Sequence, residues 1–511
     1  MTILAQNPVP FMKETTSFPL ALLPRSPEMG ATDWLYASLR EAILGGQLHP
    51  GDRLPSTRDL AAQTGVSRGT VVAAFELLQV EGYVEGKTGA GTFVRTTLPD
   101  DFLSTARQQH DAEFPAKARP GRRSRDPSGA RLAGPRRLSS ILRSVGELRP
   151  YASDPPRAFR ANQPDVRLFP ADVWRRLTGR RLRGSMNLML DSDVAGFSPL
   201  RQAVAGYLRS ARGVRCETHQ VVIVSGAQEA MDLLCRVLLD PGDRVAVESP
   251  GYSGARRVLA AHASSVVDIP VDNEGMTVPE VDDLRLIYVT PSHQYPLGMA
   301  MPVSRRMALI EWARLRDALI VEDDYDSEFW YTGRPLPAMQ GIDTAGVVTL
   351  IGSFSKVLVP GLRLGYVVLP EDLVEPFIAI KSVVARYAPP LAQAVLADFI
   401  EQGHFARHLR RVREVYAGRR AVLVEEVEKR LSGAVRLADS VPAGLQMLAW
   451  LDSGTDPYEV ARAASRWQVE VTPHNGLDDA SPHLGALQLG FGAVGEGEIR
   501  RGVERLTRVL S

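Results

Sequence analysis

Lys356 is the residue in this chain best placed to do chemistry. It lies in the stretch 347–370, VVTLIGSFSKVLVPGLRLGYVVLP, between two apolar runs at 347–351 and 365–369. Each run is short enough to be a buried strand. A lysine between buried strands loses hydration, which favours its neutral form and makes it a nucleophile toward carbonyls. Ser353 and Ser355 flank it, and Arg363 follows in a Gly/Pro loop. Hydroxyls, a fork-shaped cation and such a loop suit a phosphate. An amine beside a phosphate clamp points to pyridoxal 5'-phosphate held as a Schiff base. A lysine snorkelling at a surface loop is the plainer reading of the same stretch.

Two further stretches bear on that choice. Residues 318–328, ALIVEDDYDSE, read as a hydrophobic strand ending in acids. Open α/β sheets bind ligands at the carboxyl ends of their strands. Asp323 is the candidate there to pair with a pyridinium nitrogen, and Tyr325 to hydrogen-bond a ring oxygen. Acids after a strand also serve as helix caps or metal ligands. Residues 221–234, VVIVSGAQEAMDLL, read as a β-branched strand, a tight turn and a helix. That arrangement aims the backbone N–H groups of Ala227 and Gln228 at an anion, although strand–Gly–helix turns also occur without ligands.

The elements that must position these groups follow from the rest of the chain. After residue 155 strands alternate with helical patterns, which predicts an α/β domain with a mostly parallel sheet. The runs 244–247, 284–289 and 319–321 are strand-like. From about residue 385 the pattern turns to long amphipathic helices with a few strands near 446–451 and 487–491, a smaller subdomain.

The first hundred residues read differently. Residues 1–28 are Pro-rich and aperiodic and are expected to be disordered. Leu35, Leu39, Ala42 and Ile43 form a helical stripe ended by Gly45 and Gly46. Ser56 caps a second helix with Asp59 at the capping-box position, Gly65 ends it, and Ser67 starts a third. Val71, Ala74, Phe75 and Leu78 turn one face of that helix to the core. Ser67, Arg68, Gly69 and Thr70 are then left at its N-terminal end, the part of a recognition helix that meets base edges. Residues 82–94, GYVEGKTGAGTFV, read as two short strands around a Gly-rich tip, a wing.

Charge gives this module little general pull on DNA. Residues 31–96 hold six basic groups against seven acids, so binding would depend on where Arg58, Arg68 and Lys87 sit. A packing module without a ligand is the competing reading. Residues 97–155 read as a Pro/Gly/Ser/Arg-rich linker. Within it, 115–149 carries ten basic residues against Asp126 and Glu147, either a solvated spacer or a source of sequence-independent phosphate attraction.

The 511 residues allow two to four domains with large cores. A hydrophobic share of 44%, a charged share of 23% and a net charge of +1 are ordinary for a globular protein. Cys216 and Cys235 lack metal-like spacing and read as reduced packing residues. With no long apolar run and no secretion signal, a cytoplasmic protein with no membrane association is expected.

Residues 155–511 resemble the fold-type-I aminotransferases, a family of pyridoxal-phosphate enzymes. TPSHQYPLG (290–298), EDDYDSEF (322–329) and GSFSK followed by PGLRLGY together resemble the MocR-type branch of GntR regulators. PGDRLPSTRDLAAQTGVSRGTV (50–71) and the GxGTFV ending are similar to the GntR winged helix. The resemblance implies a winged helix-turn-helix at 29–96, the linker at 97–155 and an aminotransferase-like effector domain at 156–511, with its small subdomain at about 385–511. It assigns Lys356 as the Schiff-base lysine, Asp323 to the ring nitrogen and Tyr325 to the ring oxygen. Ser353, Ser355, Arg363 and the amides of Ala227 and Gln228 would hold the phosphate, with Tyr252 over the ring and His293 and Tyr295 in the bordering loop. Arg58, Ser67, Arg68, Thr70, Lys87 and Gly89 would meet DNA.

The substrate side departs from the family pattern. Gln488 stands where an arginine would bind a substrate carboxylate, Asn162 replaces a glycine, and Asp191 replaces a tyrosine expected to reach a partner subunit's phosphate. Losing a charged hydrogen bond costs about 1.5–3 kcal/mol, which argues against efficient transamination of ordinary amino acids. The expectation is a homodimeric transcriptional regulator that binds double-stranded DNA and senses an amine, or the cofactor itself, through an aldimine at Lys356. An active aminotransferase with a tethered DNA module is the alternative, and a cofactor-free dimer scaffold a further one.

Overall fold

The computed structural model of the protein describes residues 29–96 apart from 88–90, residue 139, and residues 155–510 apart from 185–187, 189, 191, 334–335 and 477–484. The expectations for residues 1–28, Gly89 and Asp191 and for nearly all of the linker fall outside these residues. The chain forms two compact units.

In the first unit, α1 (Ala31–Leu44) buries Trp34, Leu35, Ser38, Leu39, Ala42 and Ile43, a stripe at helical spacing. The turn after it is tied by His49 and Asp52, whose backbone and side-chain groups bond in both directions. In α2 (Thr57–Thr64) the Ser56 hydroxyl accepts from the Asp59 amide at 3.2 Å, and Gly65 closes the helix in the left-handed region. In α3 (Arg68–Val80) the buried residues are Val71, Ala74, Phe75 and Leu78, the expected face. β1 (Val84–Lys87) and β2 (Gly91–Val94) pair antiparallel as the wing. Leu35, Leu39, Val71, Leu78 and Val84 are fully buried together, each contributing about 1.5–3 kcal/mol of apolar burial.

The second unit is built on an eight-stranded sheet. Its strands are β3 (Val221–Val224), β4 (Arg244–Ser249), β5 (Ser265–Asp272), β6 (Gly275–Met276), β7 (Leu284–Val289), β8 (Leu319–Asp324), β9 (Val348–Ser353) and β10 (Gly365–Val368). Their order is β3-β10-β9-β8-β7-β4-β5-β6. β5, β4, β7, β8 and β9 pair in parallel, while β10 runs antiparallel to both β3 and β9. β3, β9 and β10 are buried without alternation because both faces of the sheet are covered. Register then brings strand ends level. Gly365 lies opposite Val224 on one side and Ser353 on the other, and Asp324 lies opposite Gly352.

A second, antiparallel sheet orders β11 (Val435–Leu437), β12 (Gln446–Leu451), β14 (Ala486–Gly490) and β13 (Thr472–His474) as β11-β12-β14-β13. The long helix His404–Leu431 and the helix Glu496–Leu510 lie beside it. This smaller part is not confined to the expected stretch from about residue 385. Phe159 bridges to Gly490, Ala158 bridges to Val469, and the Asn162 amide donates to Gln446 at 2.8 Å. Residues 158–162 thus join the C-terminal sheet, a long-range pairing that local pattern does not reveal. Cys216 and Cys235 are buried free thiols. No helix among the described residues is long and apolar enough to cross a membrane.

Candidate functional site

β8 ends in three consecutive acids, and strand alternation separates their roles. Glu322 accepts from the Met339 and Gln340 amides, and Asp324 pairs with Arg212 at 2.8 Å. Both are buried structural groups. Asp323 faces the other way, into a cavity of about 330 Å³. Burial pushes its carboxyl up to about 6, against the opposing effect of a 2.6 Å hydrogen bond from Tyr288 and the charge of Lys356.

Lys356 follows β9 and projects into the same cavity. Its amine donates to the Asn162 side-chain oxygen at 2.9 Å and lies 3.8 Å from the centre of the Tyr325 ring. Burial lowers its pKa from the ordinary lysine value, with Asp326, Asp323 and Glu328 pulling the other way. A lysine shifted in this direction is neutral more often and so a better nucleophile.

The opposite end of the cavity is made for an anion. Gly226, at φ +134, allows the turn from β3 into the helix Ala227–Leu238, whose first amides open toward the space. Ser353 and Ser355 line it, with the Ser355 amide donating to the Ser353 hydroxyl. Arg363, held at φ +49 after a short turn, has no side-chain hydrogen-bond or ion-pair partner among the described residues. An uncommitted guanidinium, two hydroxyls and a helix N-terminus fit a phosphate. The amine, the buried carboxylate and the aromatic lining fit the rest of pyridoxal phosphate.

Tyr252 forms the wall between the two ends, bonded by Gln228 at 3.3 Å and set edge-on to Tyr295. All nine sequence-derived cofactor positions line this one cavity: Lys356, Asp323, Tyr325, Ser353, Ser355, Arg363, Ala227, Gln228 and Tyr252. The Tyr325 hydroxyl donates to the His293 carbonyl at 2.8 Å. In the bordering loop Thr290 and Tyr295 line the cavity, while the His293 ring is buried against Asp326 at 3.0 Å, beside Tyr325.

Sequence reasoning missed Tyr288 and Thr290 and read Asn162 only as a departure, yet all three line the cavity. Tyr288 passes for one more apolar strand residue. Its hydroxyl is the signal, since a buried phenol needs a partner. Thr290 donates to Glu248 at 2.6 Å, and burial pushes Glu248 up to about 7. Gln488 is fully buried behind Tyr295, which donates to its side-chain oxygen at 3.2 Å, and His474 lies 3.4 Å from the same oxygen.

In the first unit Arg58 is exposed in the opening turn of α2. Arg68, exposed at the start of α3, donates to the Thr57 hydroxyl at 3.3 Å, so the two helix starts are linked. Ser67 and Thr70 are partly spent on each other, their hydroxyls 2.8 Å apart in the cap of α3. Lys87 sits on the wing, 3.2 Å from Glu85 and over the Phe93 ring.

Residues 31–94 match the family described as bacterial regulatory proteins, gntR family, and residues 159–456 match aminotransferase class I and II. The chain is 37% identical over 490 residues to the probable rhizopine catabolism regulatory protein MocR of Rhizobium meliloti, covering 95% of each chain. It is 30% identical over 488 residues to the pyridoxine biosynthesis transcriptional regulator PdxR of Corynebacterium glutamicum, covering 94% of this chain and 96% of that one. Among solved structures it is similar to the kynurenine aminotransferase of Pyrococcus horikoshii, with a TM-score of 0.63 and 26% identity over 73% of this chain and 95% of that chain. A GntR winged helix fused to an aminotransferase fold, with similarity to these regulators over nearly the whole length, means that the chain belongs to the MocR-type branch of the GntR family of DNA-binding regulators.

Proposed function

We propose that this regulator holds pyridoxal 5'-phosphate in the cavity around Lys356 and responds to a primary amine, or to the cofactor itself, by changing how it binds DNA. The convergence of nine sequence-derived residues on one cavity, with a lysine of lowered pKa and an uncommitted arginine among them, carries this reading. When bound, the cofactor supplies an electrophilic carbonyl that condenses with amines. The chain's own residues do the rest. Arg363, Ser353, Ser355 and the amides of Ala227 and Gln228 hold the phosphate. Asp323 offers a carboxylate to the ring nitrogen, Tyr252 covers the ring, and Lys356 presents the amine.

On the DNA side the reading is a homodimer whose Arg58 and Arg68 make the main contacts. Ser67, Thr70, Lys87 and Gly89 support them, and the basic segment 115–149 adds attraction to phosphate. The location is the cytoplasm. Turnover is not required: Lys356 and Asp323 would also serve a working aminotransferase, but the buried neutral Gln488 favours sensing. Purified protein should absorb in the visible, and borohydride should fix the chromophore to the chain at Lys356. Lack of any cofactor after expression with pyridoxal phosphate would overturn the reading.

A further inference from the structure

A second carboxyl stands behind the cavity, and the cofactor contacts do not use it. Glu248, near the end of β4, is buried. Its Oε1 accepts from the Thr290 amide at 3.1 Å, and its Oε2 meets the Thr290 hydroxyl at 2.6 Å. Gln294 lies 3.3 Å from Oε2, but its side-chain nitrogen also donates to the carbonyls of Pro250 at 2.8 Å and Tyr295 at 2.7 Å. Those two bonds occupy both of its N–H groups, so the Thr290 hydroxyl is the main partner of Oε2. Thr290 itself lines the cavity.

A hydroxyl oxygen offers one proton and two lone pairs. Thr290 gives one lone pair to the Tyr295 amide, which donates at 3.1 Å. While Glu248 is ionised, Oε2 holds the Thr290 proton and only a lone pair is left for the cavity. Once Oε2 carries a proton, it donates to the Thr290 oxygen, which then turns its own proton toward the cavity. The same side chain is an acceptor in one state and a donor in the other, without movement of any heavy atom.

The surroundings of Glu248 allow both states near neutral pH. Burial pushes its carboxyl up to about 7 against the Thr290 and Gln294 hydrogen bonds, and the charge of Asp323 on β8 raises it further. Tyr288 on β7 and Tyr325 after β8 also lie within electrostatic reach of it. β5 sets Ile269 beside it in register, and Arg256 on the helix Ser253–His262 is paired with Asp268 instead.

We infer that Glu248 is a positioning residue that sets whether Thr290 donates to or accepts from the molecule in the cavity, and that the phosphorylated cofactor binds with uptake of a proton at Glu248. This rests on the proposed function, because the occupant is then an anion. A negative charge brought near a buried carboxyl favours its neutral form, and that form is the one in which Thr290 has a proton to offer.

The test uses pyridoxine 5'-phosphate, which has the ring and the phosphate but no carbonyl to condense with Lys356. Its affinity for full-length, cofactor-free protein is measured by calorimetry from about pH 6 to 9, in buffers whose ionisation enthalpies reveal the protons taken up. Glu248→Gln imitates the neutral form, because the Thr290 amide selects its oxygen and leaves its nitrogen to donate to the Thr290 hydroxyl. It should match wild type near pH 6, bind about tenfold more tightly near pH 8.5, and take up about half a proton less at pH 7. Titration of the ligand and of Asp323 is common to both proteins and cancels in this comparison. Thr290→Val should bind weakly throughout with the flat profile, and Thr290→Ser, which keeps the hydroxyl, should restore wild-type behaviour. A wild-type pH profile in Glu248→Gln or in Thr290→Val would overturn the inference while leaving the cofactor reading intact. Weaker binding by Glu248→Gln at every pH would also overturn it, since the carboxyl would then only brace the loop. If wild type fails to bind the compound at any pH, the cofactor reading falls and the inference falls with it.

Discussion

The two sites of this protein place their polar residues under opposite physical conditions. On the helix starts and wing of the winged helix the polar groups are exposed or half-buried, and several are already spent on local hydrogen bonds and an ion pair. Exposed charges interact weakly and are screened within about 10 Å at moderate salt. In the cavity the groups are desolvated. Burial pushes the Asp323 carboxyl above the ordinary carboxylate range and Lys356 below the ordinary lysine value. In the proposed reading, one site would recognise through the position of exposed groups, the other through a few groups whose reactivity burial alters. The difference predicts which perturbations each site will notice.

The sharpest test is Lys356→Ala. It should abolish covalent retention of cofactor after borohydride completely, yet leave operator affinity without effector within a factor of two or so. A parallel loss of DNA binding would mean that the cavity and the helix starts are not separable. Next come Arg58→Ala and Arg68→Ala, each expected to cost about 1–3 kcal/mol in operator binding, read by gel shift or anisotropy. Neither should move the chromophore. Operator affinity should also fall steeply as salt rises from roughly 50 to 200 mM, whereas cofactor retention should not.

Titration offers an intermediate effect. Asp323 is raised from 3.8 to about 6 in the fold. In cofactor-free protein its contribution is then fully present below the unfolded value near 4 and is lost as pH rises through about 6. Asp323→Asn should accordingly be more stable than wild type by about 1–3 kcal/mol at pH 8, an advantage that disappears toward pH 4 in denaturant titrations. An advantage independent of pH would mean that burial is not what perturbs this carboxyl. The smallest effect is expected for Lys87→Ala. Its amine is shared with Glu85 and the Phe93 ring, so operator affinity should drop by less than about 1 kcal/mol. A loss matching that of Arg68→Ala would make the wing a principal contact.

What was legible from sequence follows the range of each interaction. The caps at Ser56, Gly65 and Ser67 and the buried face of α3 depend on residues a few positions apart, so helical spacing reveals them. Lys356, Asp323 and Ala227 each sit at a strand end, where an apolar run stops at a polar residue. Tyr288 and Asn162 carry no such mark. One meets Asp323 from a neighbouring strand, and the other meets Lys356 from 194 positions away. His293 illustrates the converse. It lies in a recognisable loop, but Asp326 draws its ring in beside Tyr325, and only packing decides that. For the same reason the segment 158–162 could not be assigned to the C-terminal sheet in advance.

The antiparallel strand β10 has a mechanical consequence. Because β10 returns beside β9, the connection 354–364 carries Lys356 near one end and Arg363 near the other, and both strands are pinned by the sheet. The connection thus behaves as a two-point clasp of preset span. A molecule attached at the lysine meets the arginine at the effective concentration of a short tether, so each grip reinforces the other without any new contact. Molecules that fit one end only, whether free phosphate or a simple aldehyde, would receive none of that reinforcement. Lengthening the connection by a few glycines would relax the clasp while leaving every side chain in it unchanged.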